Sequence, residues 1–166
     1  LLSLGRSSTG PFAEEKAFCN TLSCLSRRHG GFQDAIVGDS RFADILQKWQ
    51  SPGILTSADA NYELLLLCRA VIRIKESVFW DERVFHTMLH GVTVCGRNHL
   101  MDARVFRAFC ALTSRVLNYH PMKEWFLKDP IPGLVIEGMR VHGKEPREFV
   151  GACSTLVHMS SLGVCC

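Results

Sequence analysis

Apolar residues recur along most of the chain at the three- and four-residue spacing of an amphipathic α-helix. The spacing is clearest in residues 105–117, where four apolar residues fall on one side of a helix: Val105, Phe109, Leu112 and Val116. Residues 64–74 are apolar on nearly every side, which predicts a helix at the centre of the fold. No segment alternates between apolar and polar residues for long enough to predict a β-strand. The pattern therefore predicts an all-α chain.

Local residue chemistry indicates where these helices begin and where loops separate them. Asp102, Pro121 and Pro146 each stand directly before a run with helical spacing, as is typical of a helix start. Three segments between the periodic runs predict loops, and they cover residues 51–61, 96–102 and 142–146.

The helical pattern is repeated along the chain. Cys68, Cys110 and Cys153 stand in similar apolar segments and are 42 and 43 residues apart, and Cys19 precedes Cys68 by 49 residues. Three further segments start with two apolar residues, end in glycine and align without gaps: 45–53, 88–96 and 135–143. Two motifs that recur in the same order predict a repeat of about 43 residues.

The glycines that close the aligned segments are Gly53, Gly96 and Gly143. Glycine is favoured just beyond the C-terminus of a helix, because it adopts the left-handed backbone conformation without strain. These three glycines are therefore predicted to end helices.

The order of motifs within the repeat resembles the armadillo family of helical repeats, with the HEAT family close behind. Residues 122–163, MKEWFLKDPIPGLVIEGMRVHGKEPREFVGACSTLVHMSSLG, are similar to the second and third helices of an armadillo repeat. The corresponding earlier segments, VGDSRF and WDERVF, lack the prolines of KDPIP. The resemblance implies a right-handed α-solenoid, an armadillo/HEAT-like superhelix of about three to four repeats.

The same resemblance implies how the chain is organised. A single repeat domain is expected over residues 12–163, after a flexible N-terminal segment, 1–11, and before a tail, 164–166. The repeat units within it are expected at about 12–53, 62–96 and 104–143, with a partial unit at 146–163.

The repeated cysteines are best explained as packing residues. An interior helix position suits a small, apolar and polarizable side chain, so Cys19, Cys68, Cys110 and Cys153 are predicted to be one core position used four times. A reactive thiol would need an electropositive and partly open setting, which the neighbouring leucine, phenylalanine and alanine residues do not suggest.

Composition narrows the class of protein. Apolar residues make up 47% of the chain and charged residues 21%, and the longest apolar run, LLLLC at 64–68, is too short to span a membrane. Eight cysteines without a CxxC pair favour a reducing, intracellular compartment. The opening LLSLGRSSTG leaves two interpretations, the end of an organellar transit sequence, which would allow the mitochondrial matrix, or the terminus of a longer cytoplasmic chain.

The strongest candidate for a metal site is a group of nitrogen and sulfur ligands within fourteen residues: His86, His90, Cys95 and His99. The repeat alignment favours a simpler interpretation, because His90 shares a column with polar surface residues and Cys95 shares one with turn residues. We therefore expect no metal and no cofactor.

Catalytic motifs are not recognisable in the sequence. It contains no phosphate-binding glycine loop, no GxGxxG and no G-x-S-x-G. Cysteine and histidine are plentiful, but no local pattern pairs them as nucleophile and base. We expect the protein not to be an enzyme.

A weak binding feature follows from the resemblance. The residue about five positions after the repeated cysteine faces the concave groove of an armadillo solenoid, which implies Arg73, Arg115 and His158 as partner-binding residues, with Cys24 at this place in the first repeat. Family members often carry asparagine there to hold an extended peptide, and this chain does not. Basic residues would instead favour an acidic partner segment, whereas the alternative is that they are solvated side chains.

Two functions from different classes follow. The first is a non-catalytic scaffold that docks a partner protein through the solenoid surface, as a structural or accessory subunit of a larger complex. The alternative is an organellar RNA-binding helical-repeat protein. The net charge of +3 and the transit-like start favour RNA binding, but the charge is small and no aromatic residues interleave with the basic ones.

Overall fold

The computed structural model describes residues 40–72, 82–118, 123–128 and 130–163, together with Ala17 and Thr21. Every regular element within these ranges is an α-helix, which confirms the predicted all-α class. The helices are α1 (Ser40–Trp49), α2 (Pro52–Leu55), α3 (Ala58–Val71), α4 (Glu82–His99), α5 (Ala103–Leu117), α6 (Lys123–Lys128), α7 (Ile131–His142) and α8 (Pro146–Ser161).

Two of the predicted helix starts are confirmed. The Asp102 side chain caps α5 and accepts hydrogen bonds from the backbone N–H groups of Arg104 and Val105. Pro146 is the first residue of α8, where its missing N–H costs nothing. The third predicted start, at Pro121, lies outside the described residues.

The prediction that three glycines end helices is right in position for Gly143, whose φ of −60° is nevertheless right-handed, and it is wrong for the other two. Gly143 follows α7 directly, whereas Gly53 lies within α2 and Gly96 lies within α4. A Cβ atom on Gly96 would stand 3.0 Å from side-chain atoms of both Leu134 and Phe109. Glycine is present there because two other helices approach the backbone of α4 closely.

The predicted loop at 51–61 is also wrong in part. Pro52 begins the short helix α2, and Ser57 caps α3 by accepting a hydrogen bond from the backbone N–H of Ala60. Pro52 and Ser57 therefore mark the starts of two helices within the predicted loop. The predicted loop at 96–102 is shorter than expected, since α4 continues to His99.

The helices pack in a regular order. Helix α5 packs against α3 on one side and α8 on the other, and α4 packs against α1 and α7 in the same way. Helices that follow each other along the chain also touch, so α3 meets α4, α4 meets α5, and α7 meets α8. The short helix α6 packs on α5 and α7. The apolar core runs through the whole stack, from Phe42 in α1 to Met159 in α8.

Two histidines make the same contact in successive parts of the stack. The Nε2 atom of His99, at the end of α4, lies 2.7 Å from the carbonyl oxygen of Leu55. The Nε2 atom of His142, at the end of α7, lies 2.7 Å from the carbonyl oxygen of Leu100. A carbonyl oxygen only accepts, so each Nε2 carries a hydrogen and donates it. The partners are 44 and 42 residues apart, close to the spacing of the cysteines.

A buried asparagine fixes the turn that joins α1, α2 and α3. The indole Nε1 of Trp49 donates to Oδ1 of Asn61 over 2.6 Å, and the Asn61 amide donates to the carbonyl oxygens of Ile54 and Ser57 at 2.8 Å each. Asn61 is fully buried, and these bonds satisfy its polar atoms.

The repeated cysteines do not share one environment throughout. Cys68 and Cys110 are buried, as predicted, but Cys153 is only half-buried because it lies on a side of α8 that carries exposed residues. Cys19 lies outside the described residues. In the part of the chain that the structure describes, no helix is both long enough and apolar enough to cross a membrane.

Candidate protein-docking face

The exposed side of α5 carries arginine. Arg104 and Arg107 are exposed and Arg115 is partly exposed, whereas the opposite side of the helix is buried against the core. Because α5 lies between α3 and α8, this side belongs to a surface that three neighbouring helices form together. We call the surface formed by the following basic side chains the arginine face: Arg69 on α3, Arg104, Arg107 and Arg115 on α5, and Arg147 and His158 on α8.

Arg104 anchors the end of this face next to α3. Its guanidinium lies 3.2 Å from the carboxylate of Asp59 and 3.0 Å from that of Asp102, and it stands 6.0 Å from the centre of the Tyr62 ring. The hydrogen bond from Arg104 is the main cause that lowers the pKa of Asp102, and the helix-capping N–H groups lower it further. The charge of Arg104 is therefore largely neutralised within the protein.

Arg107 joins α5 to α8. Its Nε donates to Oε1 of Glu148 over 3.0 Å, and its Nη2 donates to the same oxygen. Glu148 is only 3% exposed, and the hydrogen bonds from Arg107 lower the pKa of its carboxyl group. This pair is structural, because a buried carboxylate needs its cation.

Two of the three residues that the resemblance implied, Arg115 and His158, lie on neighbouring helices. Oγ of Ser114 lies within hydrogen-bond distance of Nδ1 of His158, at 2.8 Å, so His158 on α8 reaches the part of α5 that carries Arg115. The Nε atom of Arg115 is buried and has no hydrogen-bond partner. The third implied residue, Arg73, lies outside the described residues.

Most of the arginine face is not among the residues that the resemblance implies. The resemblance implies one position per repeat, five residues after the cysteine, but a helix returns to the same side after eleven residues. Arg104 and Arg147 each stand six residues before a repeated cysteine, and therefore lie on the same side as Arg115 and His158. Exposed Arg69 follows directly after Cys68 on α3. The helical spacing from Arg104 to Arg115 was the available signal.

The free positive charge of the face lies at two positions. Among the described residues, neither Arg115 nor Arg147 has a carboxylate within ion-pair distance, in contrast to Arg104 and Arg107. These two guanidinium groups can bind carboxylates or phosphates from another molecule without breaking a bond inside the protein.

The four weak metal candidates do not converge. His86 and His90 share one side of α4, where His86 lies edge-on against Trp125 with ring centres 4.5 Å apart. Cys95 and His99 come nine residues after His86 and His90, which places them on the opposite side of the same helix. His99 is bonded to a backbone carbonyl, and no group of three potential ligands forms among the residues that the structure describes.

Two of the buried thiols, Cys95 and Cys110, are not nucleophilic at neutral pH. Burial raises the pKa of Cys95 to about 12, and it raises the pKa of Cys110 to about 12 as well. Both are protonated at neutral pH, so neither can act as a nucleophile there.

No protein-family model matches the chain, and no curated protein and no solved structure matches it either.

Proposed function

We propose that the protein is a non-catalytic scaffold that docks an acidic segment of a partner protein on the arginine face, as a subunit of a larger complex. Its helices form a right-handed α-solenoid of the armadillo/HEAT type, with about three to four repeats. The free thiols Cys95, Cys110 and Cys153 support the expected intracellular, reducing compartment.

The regular contacts between repeats support the solenoid. Helix α5 stands between α3 and α8 as α4 stands between α1 and α7, and the starts of successive helices in these two series are 42 to 49 residues apart. The two histidine bonds to Leu55 and Leu100 occur at the same spacing. In a solenoid each unit contacts only its neighbours, so the exposed faces of successive helices form one continuous surface.

The observation that carries the docking function is the pair of arginines without carboxylate partners, Arg115 and Arg147, on neighbouring helices. A protein partner with spaced carboxylates would bind both guanidinium groups. RNA would also supply anions, but the exposed aromatic residue of α8, Phe149, stands two positions from Arg147 and therefore on another side of the helix, where a base stacked on it would not lie between these arginines.

The test is affinity purification of the protein from its native source at low salt, with and without nuclease. The variant R115E/R147E reverses the two arginines, and R97E/R140E reverses two exposed arginines on α4 and α7 with the same change in net charge. We expect protein partners that resist nuclease, that R115E/R147E loses and that R97E/R140E keeps. Partners that nuclease removes would favour the RNA-binding alternative, and recovery of the protein alone would contradict both.

A further inference from the structure

The outward side of α8 carries an apolar stripe. Val150 and Val157 are each 66% exposed, Phe149 is 43% exposed, and Cys153 is half-buried among them. Steps of three and four residues put these side chains on one side of the helix. The other side of α8 is buried against α5 and α7. We call Phe149, Val150, Cys153 and Val157 the α8 stripe.

Val150 and Val157 stand three residues before and four residues after the repeated cysteine Cys153. On α5, the residues at these two positions contact the next helix, α8. Arg107 and Ser114 lie three residues before and four residues after the repeated cysteine of α5. Arg107 bonds Glu148 of α8, and Ser114 bonds His158 of α8. These positions on α5 therefore form part of the surface on which α8 packs, which we call the seat of α8.

The same positions around Cys68 are apolar. Leu65, on α3, stands three residues before Cys68, and Ile72, directly after the end of α3, stands four residues after it. They are 0% and 6% exposed, and α3 packs against α5. On α8 the two positions are Val150 and Val157, which are apolar like those around Cys68 but remain exposed.

We propose that the α8 stripe is a seat for an amphipathic α-helix supplied by a partner polypeptide. That helix packs alongside α8 as α8 packs on α5, and it continues the row of helices that begins with α3. The site differs from the arginine face, and it can be tested separately because it is apolar rather than charged.

The chemistry of the stripe defines the helix that fits it. No charged group stands among Phe149, Val150, Cys153 and Val157, so the partner helix needs apolar residues that recur every three or four positions. Arg147 is exposed at the start of α8 and favours an acidic residue on the flank of the partner helix.

The experiment uses the full chain and a fluorescent helical peptide in which leucine recurs every three or four positions and glutamate occupies the flanks, held helical by a covalent staple on its polar side. Binding is followed by fluorescence anisotropy. The variant V150Q/V157Q removes the apolar groups without changing charge, and M101Q makes the same kind of change at an apolar residue that is 76% exposed elsewhere.

We expect the peptide to bind the native protein and M101Q equally, and V150Q/V157Q at least about tenfold more weakly, since two buried apolar contacts are lost. Absence of binding, or binding that V150Q/V157Q leaves unchanged, would overturn the proposal. Binding of a glutamate-rich peptide to the arginine face should be the same in V150Q/V157Q as in the native protein. A parallel loss there would overturn the claim that the stripe is a separate site.

A second copy of the chain is the competing occupant, and sedimentation equilibrium distinguishes it. The proposal expects a monomer for both the native protein and V150Q/V157Q. A native dimer that V150Q/V157Q dissociates would assign the stripe to self-association and overturn the proposal.

Discussion

The imidazole of His142 and the backbone of Leu100 are joined by a buried hydrogen bond of 2.7 Å, from Nε2 to the carbonyl oxygen. The ring is held from a second direction as well, because it stacks on Phe106 with ring centres 5.2 Å apart. One side chain therefore links the end of α7 to α5 and to the turn after α4. The corresponding bond between His99 and Leu55 links the preceding part of the stack.

Replacement of His142 by alanine should lower the free energy of unfolding by about 1–3 kcal/mol, because the buried carbonyl of Leu100 loses its donor. Urea denaturation followed by circular dichroism measures the change. The matched control is H90A, an exposed histidine on α4 whose removal should change stability by less than about 0.5 kcal/mol. Equal stability of H142A and H90A would show that the contact is incidental.

Gly138 should be the least replaceable glycine of α7. A Cβ atom there would stand 2.1 Å from the Phe106 ring, so G138A must displace the ring that supports His142, at a cost of about 1–3 kcal/mol. G133A, in the same helix, meets no atom within 4 Å and should be neutral or stabilising by up to about 1 kcal/mol. Thermal unfolding of the pair tests this, and a G138A protein as stable as G133A would contradict the close packing.

The stability that the Arg107–Glu148 pair contributes between α5 and α8 should depend on pH. Arg107 holds the pKa of Glu148 below its ordinary value, so the folded state favours the carboxylate and the pair stabilises the protein above the ordinary pKa, 4.5. As the pH falls below that value towards the lowered pKa, the stabilisation is lost. The native protein should therefore have a higher free energy of unfolding than E148Q at pH 7, and this excess should shrink on acidification. A difference that is constant from pH 7 to pH 3 would refute the pairing.

The thiols should react unequally in the folded protein. Iodoacetamide at pH 8 should modify Cys153 at least about a hundredfold faster than Cys95 and Cys110, whose burial keeps them protonated and inaccessible. Peptide mass mapping over time gives the separate rates. Modification of Cys110 at the rate of Cys153 would mean that the contact between α5 and α8 opens readily.

The sequence predicted the parts of this fold that depend on periodic burial. Apolar spacing gave the helices, and the cysteine spacing of 42 and 43 residues agrees with the 42 and 44 residues between bonded partners in the stack. The position of a glycine does not by itself predict its role, because Gly143 lies at the end of a helix whereas Gly96 lies where other helices approach the backbone closely. Local sequence does not show which helix will approach a backbone.

The candidate site was only partly predictable for a similar reason. The exposure of Arg115 and Arg147 follows from helical spacing, but their lack of carboxylate partners depends on which helices become neighbours. Glu148 pairs with Arg107, 41 residues away, and no local pattern connects them. The half-buried state of Cys153 likewise depends on what packs against the outer side of α8.

The docking function is tested most directly by titrating the purified protein with a fluorescent glutamate-rich peptide and, separately, with a uridine oligonucleotide of equal charge, at several salt concentrations. We predict that the peptide binds more tightly than the oligonucleotide, that R115E/R147E weakens peptide binding at least about tenfold, and that R97E/R140E leaves it unchanged. Equal weakening by both variants would mean that peptide binding depends on the net charge of the protein and not on Arg115 and Arg147. Tighter binding of the oligonucleotide, lost in R115E/R147E, would contradict the protein scaffold and assign the arginine face to RNA.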